Sequence, residues 1–252
     1  MTASKLPHCN NFVCSWFFLI SSSFICLFQA GKATTPERFF VTQQQGTHVL
    51  RGVPGLGALG NGQPVPFGGK LFVREDSGIE LRLRSGEIMR LGSLTNAGID
   101  EARLLQLHKG AILLSLPKKS KPYRVSSPLS ELKISGEGAV MLGITQSGGF
   151  KAVGIYGGVR LDLDNASMEL GAGELVFIFT GGSGFSRKVD VELATIVQSA
   201  TLIRDFEQPL PFLEEMMTAA RRQNRLIRDR YRALVGDAKT DKEFELKIIK
   251  DD

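Results

Sequence analysis

Side chains that commonly catalyse reactions or bind metals are few in this sequence, and they lie far apart. Beyond residue 33 the only histidines are His48 and His108, on different segments of the chain. A zinc site needs three or four clustered histidine, cysteine or carboxylate ligands, and no stretch has that spacing. The G-x-S-x-G motif of a serine nucleophile is also absent. The sequence therefore predicts no enzyme, no metal site and no cofactor.

Two carboxylates offer a different chemistry. Asp162 and Asp164 are two residues apart in the segment VRLDLD, which alternates as a strand does, so both would project from the same face. Paired carboxylates can bind calcium or act on a glycosidic bond, which allows a surface that binds or cleaves glycans. Arg160 would lie on the same face and offset the charge. A solvated outer strand face is therefore the favoured interpretation, with the glycan surface as the alternative.

The most concentrated charge is a run of arginines near the C-terminus. Six arginines fall within residues 221–232, and Asp229 is the only acid among them. On a helix they would cover most of the surface outside the apolar stripe, so this helix could bind membrane headgroups or an acidic partner helix. The alternative is a helix that docks on its own β domain and uses the arginines for solubility. The candidate partner-binding residues are Arg221, Arg222, Arg225, Arg228 and Arg232.

The arginines belong to the second of two predicted helical stretches. The first, 194–206, has apolar residues at helical spacing, and two prolines within 208–211 interrupt it. A longer helix is predicted over 212–235, because two glutamates stand in its first turn and Gly236 stands where a C-terminal cap belongs. Its apolar stripe comprises Leu213, Met216, Met217, Ala220, Ile227, Tyr231 and Leu234.

Ahead of these helices the sequence has the pattern of short strands separated by turns. Apolar and polar residues alternate in segments such as 79–84 and 159–164. Turn residues recur about every ten positions, which is typical of strands with one buried face. The predicted fold class is mainly β: an antiparallel β-sandwich, a jelly-roll-like domain or a coiled β domain, followed by a C-terminal α-helical segment.

Three local features of this β region give more specific predictions. The glycines at 136–138 and at 157–158 predict turns between strands. Residues 96–102 are predicted to be a polar interruption. The run LVFIF at 175–179 is apolar throughout, so it is predicted to lie in the middle of the core.

The N-terminal segment, 1–33, has the features of a secretory signal peptide. A weakly basic start precedes an apolar run over 12–28, and a small-x-small exit follows at 31–33, so cleavage is predicted after Ala33. An uncleaved membrane anchor is the alternative. All three cysteines lie in this segment, so the mature chain would use no disulfide in a compartment that permits them. The chain is therefore expected to be periplasmic or secreted, and nucleic acid is not expected as a partner.

Residues 34–69 are predicted to be a linker or an N-terminal extension, because glycine and proline dominate their second half. The glycines at 55, 57 and 60 match the G-x-G-x-x-G fingerprint of dinucleotide-binding folds. That fingerprint requires a helix directly after it, and Pro64 and Pro66 prevent one here. The predicted organisation is a signal peptide over 1–33, the linker over 34–69, a β domain over 70–184 and a C-terminal helical segment with a charged tail over 185–252.

Five short blocks follow one another between residues 104 and 178: LHKGA at 107–111, PYRVSSP at 122–128, ISG at 134–136, VGIYGGV at 153–159 and LGAGE at 170–174. Together they resemble the FecR domain family, which contains periplasmic β domains of ferric-citrate-type regulators and of other bacterial envelope proteins. Those regulators carry a cytoplasmic helical domain that holds a sigma factor, and here a predicted signal peptide takes its place. The resemblance therefore implies the fold and an envelope location, and it does not imply an anti-sigma function.

Three functions are open on this basis. The first and favoured one is a non-catalytic exported FecR-like module that acts in the bacterial cell envelope by protein–protein interaction or signal relay. Its partner would be an envelope protein or an anionic surface, with peripheral membrane contact through the basic helix as one form of the latter. The second is a glycan-binding or glycan-cleaving β-sandwich that uses residues 160–164. The third is one component of a relay whose sigma-binding partner is a separate chain.

Overall fold

The computed structural model describes residues 37–51 and 57–235, and the exposure of Gly182 and the side chains of residues 228–235 are outside that description. The predicted signal peptide and the charged tail after residue 235 lie outside the described residues. The described residues belong to one compact unit. Strands make up 48% and helices 15% of the structure, which confirms the mainly β fold class with a C-terminal helical segment.

Fourteen strands of the described chain form one mixed sheet. They are β1 Phe40–Gln45, β2 His48–Arg51, β3 Gly69–Val73, β4 Gly78–Arg82, β5 Ile88–Leu91, β6 Asn96–Glu101, β7 Leu104–Lys109, β8 Ala111–Leu116, β9 Tyr123–Ser127, β10 Ser130–Ile144, β11 Phe150–Asp162, β12 Ser167–Leu170, β13 Glu174–Ile178 and β14 Val189–Asp190. Three α-helices follow: α1 Leu193–Ser199, α2 Thr201–Arg204 and α3 Leu213–Val235. None of these helices, as far as the structure describes them, has both the length and the apolar character of a membrane span.

Strands β10 and β11 are the longest, and the hairpin that they form organises the whole sheet. On one side of β10, β9 pairs with its first part, 130–134, and β8 pairs with its last part, 138–143. On the other side of the hairpin, β13 pairs with the first part of β11 and β12 with the last part. The hairpin therefore belongs to two groups of strands at once, which we call the first and the second leaf.

The first leaf runs β2–β3–β6–β7–β9, followed by the start of β10, the end of β11 and β12. The second leaf runs β1–β4–β5–β8, followed by the end of β10, the start of β11, β13 and β14. Neighbouring strands are antiparallel except β7 and β9, which are parallel. The result is a curled, mixed sheet in the form of a half-barrel.

The main hydrophobic core contains inward-facing residues from both leaves. Strand β4 shows the expected alternation, since Ile79 and Leu81 are fully buried in this core. Strand β8 is apolar on both faces: Leu114 belongs to the main core, whereas Leu113 belongs to a second core on the outer face of the second leaf. The middle strands of the second leaf are therefore removed from water on both sides.

The second core lies between the outer face of the second leaf and the helices. The sheet contributes Val153 and Ile155 of β11 among its buried residues, and the helices contribute Leu193 of α1 and Met216 of α3. Each fully buried apolar side chain of this size stabilises the fold by about 1.5–3 kcal/mol relative to an exposed one. The helices are thus part of the folded β domain.

The segments 136–138 and 157–158 do not form turns; they lie in the middle of the long hairpin, where Gly138 pairs with Gly157 and Glu137 with Gly158. The register shifts just after them, so the strands bend there instead of ending. Gly157 has a φ of 69°, and its backbone lies so close to the carbonyl oxygen of Glu137 that a Cβ would not fit. The turn prediction is wrong because glycine marks bulges as well as turns, and only the pairing partner distinguishes them.

The sheet begins before residue 70. Residues 40–51 of the predicted linker form β1 and β2, which pair with β4 and β3. The predicted polar interruption at 96–102 contains β6, which pairs with β3 and β7. Ala97 and Ile99 supply the buried hydrophobic side chains of β6, and two apolar residues are too few to reveal a strand in the sequence.

Strand β13 differs from the predicted buried run at 175–179. Val176 and Ile178 face the main core, but Phe177 is 40% exposed and Phe179, just after the strand, is 49% exposed. Only the two-residue β14 lies beyond β13 in the second leaf. The run therefore lies near a sheet edge, and only every second residue of it is buried.

Candidate functional site

Helix α3 carries the arginines, and it packs on the second leaf through its apolar stripe. Met216 and Ala220 are buried in the second core. The ring of Phe212, just before the helix, lies 4.8 Å from the ring of Tyr156 on β11. The helix therefore docks on its own β domain, and the described part of the predicted stripe faces the sheet.

One polar residue within this stripe, Gln223, fixes the position of α3. It is 8% exposed, and its Oε1 accepts a hydrogen bond from the N–H of Leu193, in the first turn of α1, at 2.9 Å. Its Nε2 donates to the carbonyl oxygens of Val191 at 2.7 Å and Gly173 at 3.1 Å. The sequence prediction omitted Gln223 because it is polar, although its place three residues after Ala220 is a signal that it faces the sheet.

Replacing Gln223 by alanine is expected to lower the free energy of unfolding by about 1–3 kcal/mol, because buried backbone groups would lose their hydrogen-bond partner. Urea denaturation followed by circular dichroism measures the change. The matched control is N224A at the next, half-buried position, where we expect a change below about 0.5 kcal/mol. Equal effects of the two substitutions would show that the Gln223 hydrogen bonds do not hold the helix.

A second anchor joins the segment around α2 to the sheet. Arg90 of β5 is fully buried, and its Nε donates to Oε2 of Glu80 on β4 at 2.8 Å. Its Nη1 donates to the carbonyl oxygens of Leu202 and Ile203 at 3.2 and 3.1 Å. Its Nη2 donates to the carbonyl oxygen of Gln208 at 2.8 Å. The guanidinium thus donates hydrogen bonds to carbonyl oxygens in α2 and after its end. The last carbonyl oxygens of a helix have no backbone N–H within the helix to bond with, so they need such a donor.

The carboxylate of Glu80 is equally enclosed. Burial favours its neutral form, yet hydrogen bonds from Thr42 and Arg90 and the charge of Arg90 outweigh burial, so the pKa of Glu80 lies below its ordinary value. The ring centroid of Phe206 lies 4.1 Å from the guanidinium carbon of Arg90. These contacts make the Glu80–Arg90 pair a structural anchor, since neither charged group reaches solvent.

The outward side of α3 presents the arginines to solvent. Arg221, Arg222 and Arg225 are exposed, and none of the ion pairs in the described chain involves them. Leu226, next to Arg225, is 56% exposed. We call these four residues the α3 face. The side chains of the two remaining candidates lie outside the described residues; they are Arg228 and Arg232.

A cleft of about 430 Å³ lies beside the α3 face. Gly171 and Ala172 of the β12–β13 turn line it from the sheet side, and Ala219, Arg222 and Leu226 line it from the helix side. The lining combines small residues, an exposed leucine, an arginine and two acidic residues of β13 and β14. The cleft can therefore accept an apolar side chain of a molecule whose charges meet the arginines.

The carboxylates of the glycan hypothesis are not arranged as an acid–base pair. Asp162 ends β11, and its Oδ1 accepts a hydrogen bond from Nε of Arg160 at 2.8 Å. Partial burial favours the neutral acid, but hydrogen bonds from Arg160 and Ser167 outweigh it and hold the pKa of Asp162 below its ordinary value. Asp164 lies in the turn to β12. The prediction that both lie on one strand face is wrong, because the strand ends at Asp162.

The two histidines lie on separate strands. His48 is on β2 and His108 is on β7, with β3 and β6 between them. Nε2 of His48 accepts the N–H of Leu59 at 3.1 Å, and burial lowers the pKa of His48. Within residues 37–51 and 57–235, no three histidine, cysteine or carboxylate side chains lie close enough together to hold a metal ion.

No protein-family model and no curated protein matches this chain. Two crystal structures are similar to it, both described as a "putative anti-sigma factor" from Parabacteroides distasonis. One has a TM-score of 0.41 and 16% identity, covering 51% of this chain and 62% of that chain. The other has a TM-score of 0.43 and 18% identity, covering 54% and 64%. The chain spans less than two thirds of either structure, and the similarity is one of coarse fold alone.

Proposed function

We propose that this protein is a non-catalytic FecR-like module, exported to the periplasm or secreted, that serves regulation or signalling by binding an acidic partner protein through the α3 face. One observation carries the proposal. Three arginines without ion pairs in the described chain surround an exposed leucine on a helix whose opposite side is fixed to the sheet. A fixed helix loses little conformational entropy on binding, so its surface is preorganised for a partner.

The distribution of charge on α3 favours an acidic partner. Glu214 and Glu215 stand in the first turn, whereas the arginines occupy the following turns. Arginine donates two parallel hydrogen bonds to a carboxylate, and an acidic helix aligned with α3 could supply the carboxylates. Leu226 and the neighbouring cleft would receive an apolar side chain of that helix. An apolar centre with a charged rim is the usual composition of a protein–protein interface.

Charge reversal of the α3 face is expected to abolish partner binding. The variant R221E/R222E/R225E of residues 36–252 should fail to retain the envelope protein that the unchanged chain retains from bacterial envelope extract, because like charges across an interface repel. Calorimetry with the purified partner should then show an affinity at least about a hundredfold weaker.

Two variants on the same helix serve as controls. E214Q/E215Q should bind within about threefold of the unchanged chain, since it leaves the arginines intact. R221K/R222K/R225K should retain partial binding, because it keeps the charge and loses the bidentate geometry. Deleting α3 is not a useful control, since it would uncover the second core around Met216. Undiminished binding by the charge-reversed variant would contradict the proposal.

The glycan alternative predicts the opposite results for substitutions on α3 and on the acidic strand. A chain that binds peptidoglycan or another polysaccharide through its acidic strand would keep that ligand after charge reversal of α3 and would lose it in D162N/D164N. The ion pair between Arg160 and Asp162 favours the protein-binding function, because that carboxylate already has a partner. A retained protein with a sigma-binding domain would identify the protein as one component of a relay.

A further inference from the structure

A second exposed surface lies at the edge of the second leaf, on β13 and β14. Six large apolar side chains are exposed in the described chain, and three of them, Phe177, Phe179 and Val189, belong to β13, its end and β14. Phe177 and Phe179 alternate with buried residues, so they project from the same side of the sheet. Val189 of β14 pairs with Leu175 of β13, and Leu175 lies two residues before Phe177 in the chain. We call Phe177, Phe179 and Val189 the β13 patch.

The backbone beside this patch is already hydrogen-bonded. The N–H of Ser186 donates to the carbonyl oxygen of Phe177 at 2.8 Å, and Oγ of Ser186 accepts the N–H of Phe177 at 2.9 Å. The N–H of Phe179 donates to the carbonyl oxygen of Gly184 at 3.0 Å. A partner peptide therefore cannot pair with this strand as an added β-strand. A binding partner can therefore contact the patch only through its side chains.

Two unpaired cations flank the patch. Lys151 of β11 is directly opposite Phe177, on the same face of the sheet, and it is exposed. Arg187 follows Ser186 and is exposed as well. Neither takes part in an ion pair of the described chain, whereas the neighbouring Lys188 is paired with Glu174 at 2.9 Å. The phenylalanines thus have positive charge beside them.

The opposite rim of the patch has a different character. Leu129, 55% exposed, is next to it, because its carbonyl oxygen accepts the N–H of Gly181 at 2.7 Å. Beyond Leu129 a shallow pocket is lined by Glu131 and Asp164. The charge is therefore asymmetric: the lysine and arginine side suits an anionic surface, and the acidic residues, which include the exposed Asp190 after Val189, would have to point away from it.

We propose that the β13 patch binds the surface of an anionic lipid bilayer. Phe177 and Phe179 enter the headgroup region, and Lys151 and Arg187 contact lipid phosphates. Aromatic side chains next to basic ones are the combination that holds peripheral proteins at anionic membranes. A Cβ added at Gly181 or Gly184, in the segment after Phe179, would meet no heavy atom within 4 Å, so the two glycines leave space for the approach of a bilayer.

Co-sedimentation with lipid vesicles tests the proposal. The chain from residue 36 to residue 252 is used, because the apolar run 12–28 would bind vesicles by itself. It should sediment with vesicles of phosphatidylglycerol and phosphatidylcholine in equal parts, and much less with phosphatidylcholine alone. F177S/F179S should lower the binding to anionic vesicles at least about tenfold, and K151E/R187E should lower it at least about fivefold. Binding should weaken as salt rises.

The matched control is L94S, which removes an exposed leucine outside the patch, 48% exposed, and should leave vesicle binding within about twofold. Circular dichroism confirms that each variant is folded. If F177S/F179S binds vesicles as well as the unchanged chain, the proposal is wrong. It is also wrong if sedimentation equilibrium shows a dimer that F177S/F179S converts to a monomer, because a second copy would then occupy the patch.

The variant R221E/R222E/R225E separates this proposal from the proposed function. It should lose the protein partner and keep vesicle binding within about twofold, since it leaves the β13 patch unchanged. If it loses vesicle binding while F177S/F179S keeps it, the α3 face is the membrane surface and the β13 patch is not.

Discussion

Replacing Arg90 by methionine is expected to lower the free energy of unfolding by about 3–5 kcal/mol, because the substitution leaves Glu80 as a buried charge without its partner. The carbonyl oxygens of Leu202 and Ile203 would lose their donor in the same step, and that of Gln208 would keep only the longer hydrogen bond from Nε2 of Gln43, at 3.3 Å. Guanidinium chloride unfolding followed by circular dichroism measures the loss. If R90M does not fold, R90K keeps the charge with fewer hydrogen bonds and should show a smaller, measurable loss.

The same carboxylate provides the matched control. Arg82 also donates to Glu80, at 2.8 Å, but its side chain is 31% exposed. We therefore expect R82M to cost less than about 1 kcal/mol. The double variant E80M/R90M should recover part of the stability lost in R90M, since no charge is then left buried. Equal losses in R82M and R90M would show that the buried pair is not the anchor described above.

Replacing Gly157 by alanine is expected to destabilise the β domain by about 3 kcal/mol or more. Its φ of 69° lies in the left-handed region, which costs a residue with a Cβ about 1–2 kcal/mol. The added Cβ would also collide with the backbone of Glu137 across the hairpin, so the two long strands would have to move apart. Thermal unfolding should show the loss as a lower midpoint.

The adjacent glycine is the control for this substitution. At Gly158 nothing lies within 4 Å of an added Cβ, and alanine restricts the unfolded chain. G158A should therefore change the free energy of unfolding by less than about 1 kcal/mol, in the stabilising direction. A loss in G158A as large as that in G157A would mean that the bend tolerates no side chain at all, and the specific clash with Glu137 would not be its cause.

Alternation in the sequence predicted strands such as β4 and the end of β11. It could not predict that the outer face of β4 and β5 is covered. In the sequence, Glu80 and Arg90 have the alternating pattern of solvated charges. The helical segment that encloses Arg90 contacts it first at Leu202, which comes 112 residues later in the chain. Burial of this kind depends on long-range packing, which no local pattern contains.

The arginine run predicted the basic helix, and the structure places Arg221, Arg222 and Arg225 on its exposed side. Whether they bind a partner stays a prediction. The β13 patch was not predictable, because five consecutive apolar residues do not show whether their strand lies in the centre of a sheet or near its edge. That position follows from the pairing of β13 with β11 and β14, which is set by the whole topology.

The Arg90 anchor also affects when this chain can fold during its synthesis. The strand that carries Arg90 is synthesised long before its acceptors, since Gln208 follows it by 118 residues. In a nascent chain that ends before residue 202, the guanidinium of Arg90 on β5 lacks its three carbonyl acceptors. The second leaf therefore cannot reach its final form during synthesis from the N-terminus; it closes only when the C-terminal segment has been made.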